Sequence, residues 1–121
     1  MISLIFIVLE GICNAIMDTL GHHYKTSIFA KWDSAYWNPS VSWVNKNRLP
    51  DWIPDTFTDG WHTIKFFHIC SWLLWGGFLV YYGVYAFTGS YFLDVAIIVV
   101  GSGIIRNLVF KLFYDNILVR K

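Results

Sequence analysis

Three long apolar stretches, residues 2–22, 61–87 and 91–113, alternate with polar segments along the chain. A bilayer hydrocarbon core of about 30 Å takes about 20 residues of helix to cross, so each stretch predicts a transmembrane helix. Between the first two lie residues 24–60, YKTSIFAKWDSAYWNPSVSWVNKNRLPDWIPDTFTDG, where Trp32, Trp37, Trp43 and Trp52 are interleaved with charged residues. Pro39, Pro50 and Pro54 exclude one continuous helix there, because proline lacks the N–H that a helix interior needs. Tryptophan alternating with charge predicts a segment lying in the membrane interface, with a short amphipathic helix over residues 27–37. Thr88, Gly89 and Ser90 read as a tight turn, Asp94 as a solvated helix start, and residues 114–121 as a short polar tail. No stretch has strand periodicity. The expected fold is an all-α integral membrane protein, one domain over residues 1–121, with three transmembrane helices and a Trp-rich, partly helical cytoplasmic interfacial segment.

Composition sharpens this reading. At 56% hydrophobic and 14% charged, the chain lies far from the soluble norm of about a quarter charged residues. Its net charge of +1 supplies no electrostatic footprint for nucleic acid. Cys13 and Cys70 sit in apolar stretches without metal-site spacing and read as small buried hydrophobes. A cleaved leader is the competing reading of the first stretch; Glu10 interrupts its apolar run and no A-x-A site follows, which favours a retained helix. Lys25, Lys31, Lys46 and Arg48 in the middle segment, with Lys111, Arg120 and Lys121 at the C-terminal end, set the orientation. Cationic loops stay cytoplasmic, so the N-terminus is expected outside and the C-terminus inside.

The candidate chemistry follows from spacing. Glu10, Asn14, Asp18 and His22 recur every fourth position, which places them along one face of the first helix. Ionisable groups in a membrane helix must meet water, a counter-charge or a ligand. Asp18 with His22, and Asp59 with His62, have the spacings that let two side chains on one helix reach one ion. Imidazole and carboxylate suit Zn²⁺ or another divalent metal, which could activate water. Glu10 and Asn14 would orient a ligand or polarise that water, and Arg106 would clamp a phosphate through its guanidinium. A rise of 1.5 Å per residue puts Arg106 near the level of Asp18 if the third helix starts at the outer boundary. His23 and His68 remain as spare ligands or satisfied histidines, and Lys65 as a snorkelling side chain. The bland alternative gives Asp59 a capping role and makes Arg106 a counter-ion to Asp18 or Glu10.

The strings SIFAKW, WNPSVSWVNKN and TDGWHTIKF, following MDTLGHHY, resemble a pattern in small uncharacterised bacterial membrane proteins over the first half of the chain. The resemblance implies a membrane family, with a bacterial inner membrane as its setting, and assigns it no activity. Membrane zinc amidohydrolases such as ceramidases differ in helix count and histidine arrangement.

Two functional expectations result. The first is a metal-dependent membrane hydrolase acting on a lipid or a lipid-linked phosphate or ester at the cytoplasmic interface. The second is a non-enzymatic small oligomeric membrane protein, such as a channel, transporter-like protein or assembly subunit, built around an ion-pair network. Membrane lipid and further copies of the chain are the expected partners in either case.

Overall fold

The long helices form where the apolar runs predict them. In a computed structural model, which describes residues 2–50, 52–82 and 88–119, they are α1 (Ile2–His22), α4 (Gly60–Tyr82) and α5 (Tyr91–Phe113). Two single-turn helices, α2 (Ser34–Trp37) and α3 (Pro39–Ser42), lie between the first two. Residues 83–87, expected at the end of the second long helix, lie outside the described residues. Helix α1 is the central one: it packs along both α4 and α5, which make little contact with each other among the described residues. Close approach to α5 depends on Gly11, where an added Cβ would lie 2.9 Å from the Arg106 carbonyl oxygen and 3.1 Å from Val109.

Polar side chains share the interior with a small apolar core, and large apolar side chains cover the outside. Among the described residues Glu10, Thr19, Ser71 and Asp94 are buried, whereas Phe66, Phe67, Leu73, Phe92, Val100 and Leu108 are exposed. Water would penalise such an apolar exterior heavily, and hydrocarbon would not. Leu4–His22 and Tyr91–Leu118 are long and apolar enough to cross a membrane. Helix α4 is as long, with His62, Lys65 and His68 in its first half.

The middle segment does not form the amphipathic helix expected over residues 27–37. It makes two 3₁₀ turns, Tyr24–Thr26 and Ile28–Lys31, and then α2. Local side chains take the backbone donors: Phe29 N–H donates to Ser27 Oγ at 3.1 Å and Ala35 N–H to Asp33 Oδ1 at 2.9 Å. Such local bonds start new turns in place of extending one helix. Asn38 caps α3 in the same way, with Pro39 following it, the position where a missing N–H costs nothing.

The tryptophans divide into two groups. Trp43 and Trp52 are exposed. Trp37, half-buried, and Trp32, still largely exposed, build an aromatic cluster with Phe29 over the end of the bundle. Phe29, itself buried, stacks on Trp37 with centroids 5.4 Å apart, and Trp32 stands edge-on to both. Trp37 in turn lies against Gly60, at the first residue of α4.

Two further expectations are corrected. Residues 114–118 form a π-helical turn whose Leu118 joins Ala15, Leu20 and Phe29 in the core, and Val119 pairs with Ser27 in an isolated antiparallel bridge. Residues 114–119 of the tail are therefore an integral part of the fold. Asp94 is fully buried, not solvated; its Oδ1 accepts from Thr88 N–H at 3.0 Å and Thr88 Oγ1 at 2.8 Å. Gly89 supplies the left-handed conformation, φ 82°, that this turn requires, and the freed turn donors find their acceptor in Asp94.

Candidate functional site

The polar face of α1 meets both of its neighbours at Glu10. Because α1 runs between α4 and α5, a side chain near the middle of it is covered from both sides, and Glu10 is 0% exposed. Trp72 Nε1–H donates a hydrogen bond to Glu10 Oε1 at 3.0 Å, and His68 Nδ1 lies 3.4 Å from the same oxygen. Arg106 Nε lies 3.0 Å from Oε2. Neither Nε nor the imidazole nitrogen is aligned for a hydrogen bond, so these are close charge contacts. The imidazole contact becomes an ion pair when His68 is protonated. One carboxylate thus gathers an indole, an imidazole and a guanidinium from two other helices.

Of the seven residues singled out from the sequence, this brings together Glu10 and Arg106. Asn14, one turn further along α1, is half-buried and has no hydrogen-bond partner among the described residues. Arg106 pairs with Glu10 and not with Asp18, which lies eight residues or about 12 Å further along the helix. The depth argument put Arg106 near the level of Asp18 by starting the third helix at the outer boundary, level with the start of the first. Instead, α5 is shifted along α1 so that Arg106 and Val109 face Gly11.

Asp18 and His22 approach within 3.7 Å on the exposed end of α1. Asp59 and His62 form a tighter pair at the start of α4, where His62 Nδ1 and Asp59 Oδ2 are 2.6 Å apart. Asp59 is also the N-cap of α4: its Oδ1 accepts His62 N–H at 2.9 Å and its carbonyl accepts Thr63 N–H at 3.1 Å. Both carboxylate oxygens of Asp59 are therefore occupied within its own helix turn. Among the described residues, no group of three or more His, Cys, Asp or Glu side chains is assembled as a metal site. His23 packs edge-on against Tyr114, and Lys65 lies over the Trp61 ring. Beside this end of α1 is a cavity of about 440 Å³ lined by residues 20–26 and 38–40.

Sequence reasoning left His68 open and gave Trp72 no role. The signal for both was present. His68 and Trp72 are four residues apart, so two N–H-bearing rings project from one face of α4, and a carboxylate buried on another helix requires such donors. No family model, curated protein or solved structure matches this chain, and the site's own geometry carries the functional argument.

Proposed function

We propose that the chain is an integral membrane protein of three crossings, α1, α4 and α5, acting as a non-enzymatic, oligomeric assembly subunit. The observation that carries this reading is the fully buried Glu10 with partners from both neighbouring helices. All its contacts are internal, a hydrogen bond from Trp72 to Oε1 and a charge contact of Arg106 with Oε2, which suits a lock between helices better than a base that must reach substrate. In hydrocarbon such a pairing is the condition under which charge is tolerated at all. The Lys and Arg distribution favours a cytoplasmic middle segment and C-terminus, with the turn at Thr88–Ser90 outside.

A second reading, the metal-dependent hydrolase acting on a lipid or lipid-linked phosphate or ester, is favoured by the cavity with His22 in its wall. Asp18, His22, Asp59 and His62 would be the ligands of a divalent ion such as Zn²⁺. It requires the two Asp–His pairs to close on one ion, and Arg106 to leave Glu10 to act as anion clamp.

Metal content per chain decides between the two, measured on detergent-purified, tag-free protein prepared without chelator. The subunit reading expects substoichiometric metal in wild type and in His62→Ala alike. Near-stoichiometric metal that His62→Ala abolishes would overturn it and establish the hydrolase site. Thiol labelling from each side of a sealed vesicle, at Lys46→Cys and Ser90→Cys, tests the crossings; labelling of both from the same side refutes three spans.

A further inference from the structure

Helix α5 has a second seam. The face toward α1 carries the half-buried Ile98, Ser102, Arg106, Val109 and Phe113, with Arg106 and Val109 closest to Gly11. On the opposite face Leu93, Ile97, Val100, Ile104, Asn107 and Lys111 follow one another at alternating spacings of four and three, and all are exposed. Alternating four–three spacing is the pattern with which one helix packs lengthwise against another. The seam also carries a shallow, open groove of about 380 Å³, where Ala96 and Gly101 flank Ile97, Val100 and Ile104.

An apolar groove alone would suit acyl chains. Asn107 decides otherwise. It lies on this face within the 28-residue apolar stretch Tyr91–Leu118, is exposed, and has no hydrogen-bond partner among the described residues. Lipid tails offer neither donor nor acceptor, so an amide facing them forfeits its hydrogen bonds. A carboxamide carries both an acceptor oxygen and donor N–H groups and is therefore its own complement. Two copies inserted in the same direction are related by a two-fold axis along the membrane normal, and that axis sets equal depths opposite each other.

We infer that α5 pairs in parallel with α5 of a second copy, Asn107 bonding to Asn107 across the axis and the Ala96–Ile104 groove receiving the partner helix. Small residues let the backbones approach, and the amide pair sets the register. Lys111, one turn beyond Asn107, directs its ammonium to the headgroups, where two like charges are hydrated and screened. This inference rests on the integral membrane reading and names the surface behind its oligomeric state.

The test is oxidative cross-linking in native membranes of the full chain with Cys13→Ala and Cys70→Ala, carrying Ile104→Cys on the seam or Val99→Cys on the flank. Ile104→Cys should give a disulfide dimer and Val99→Cys should not. In parallel, energy transfer between labelled copies in liposomes should show Asn107→Leu weakening self-association about 3- to 30-fold, the range for one interhelical polar contact of ~0.6–2 kcal/mol. Asn107→Gln, which keeps the amide, should retain most of it, and unchanged helicity confirms that both variants fold. Dimers that cross-link at Val99 but not Ile104 would overturn this seam while leaving the oligomeric subunit intact. A chain that is monomeric in liposomes would overturn both. Cross-linking of Ile104→Cys to a different protein only would replace the second copy by a foreign helix and refute self-pairing.

Discussion

Replacing Glu10 by Gln gives the sharpest perturbation, because it removes one charge while keeping the side-chain volume. The carboxylate has a hydrogen bond from Trp72 at 3.0 Å and a charge contact with Arg106 at 3.0 Å. These are unequal. An interhelical hydrogen bond in a membrane protein contributes about 0.6 kcal/mol on average and at most about 1.7. Breaking a buried ion pair by removing one partner costs ~3–5 kcal/mol, since the remaining charge is left uncompensated. The Arg106 side chain is 33% exposed, which leaves its long stem free to carry the guanidinium toward the headgroups, so the low end, about 3 kcal/mol, applies. Unfolding of the detergent-solubilised protein by graded addition of denaturing detergent, followed by helicity, measures this. Glu10→Gln should cost about 3 kcal/mol and Trp72→Phe under about 1. In a double-mutant cycle with Arg106→Gln, the double variant should be less destabilised than the sum of the singles by about 2 kcal/mol, because the second substitution removes the orphaned charge. Additivity within about 0.5 kcal/mol, the behaviour of independent sites, or a Glu10→Gln cost no larger than that of Trp72→Phe, would refute the ion-pair lock.

Other outcomes follow from the same structure. Gly11→Ala should destabilise by ~1–3 kcal/mol in that unfolding assay, because the new Cβ meets backbone at 2.9 Å and overpacking costs that much; Gly103→Ala, with open space around it, should be neutral or stabilise by up to about 1 kcal/mol. Gly60→Ala should drive Trp37 off the first turn of α4, since a Cβ there lies 2.5 Å from the ring, and a red shift of tryptophan emission reports it. Asp59→Ala should cost ~0.5–2 kcal/mol through loss of the cap, with Asp59→Asn recovering most of that; an equal loss in both would show that the charge toward His62, and not the cap, matters.

The arrangement of residues around Glu10 shows how far local pattern reaches. The four-residue spacing of Glu10, Asn14, Asp18 and His22 made a polar face certain, and hydrocarbon's intolerance of charge made partners for it necessary. Which partners, however, depends on how far α5 slides along α1. That offset is marked by the close approach at Gly11, where Val109 and the Arg106 carbonyl pack. This contact joins residues remote in sequence, so no periodicity reports it. Asp59 is the opposite case: capping at the entrance of an apolar run is a local event, and it was legible as one alternative for that residue.

The chain's pattern by itself determined the three long helices, the broken middle segment and the tight turn at Gly89, because helix length, proline and left-handed glycine act within a few residues. Tertiary structure alone decided that Arg106 meets Glu10 and not Asp18. It alone turned Trp37 inward, and it alone made Leu118 core and Asp94 a buried acceptor. The reason is common to all four: each depends on which surfaces come together after the helices form, and apolar surface and buried charge are satisfied by any suitable neighbour, so the choice belongs to the packing.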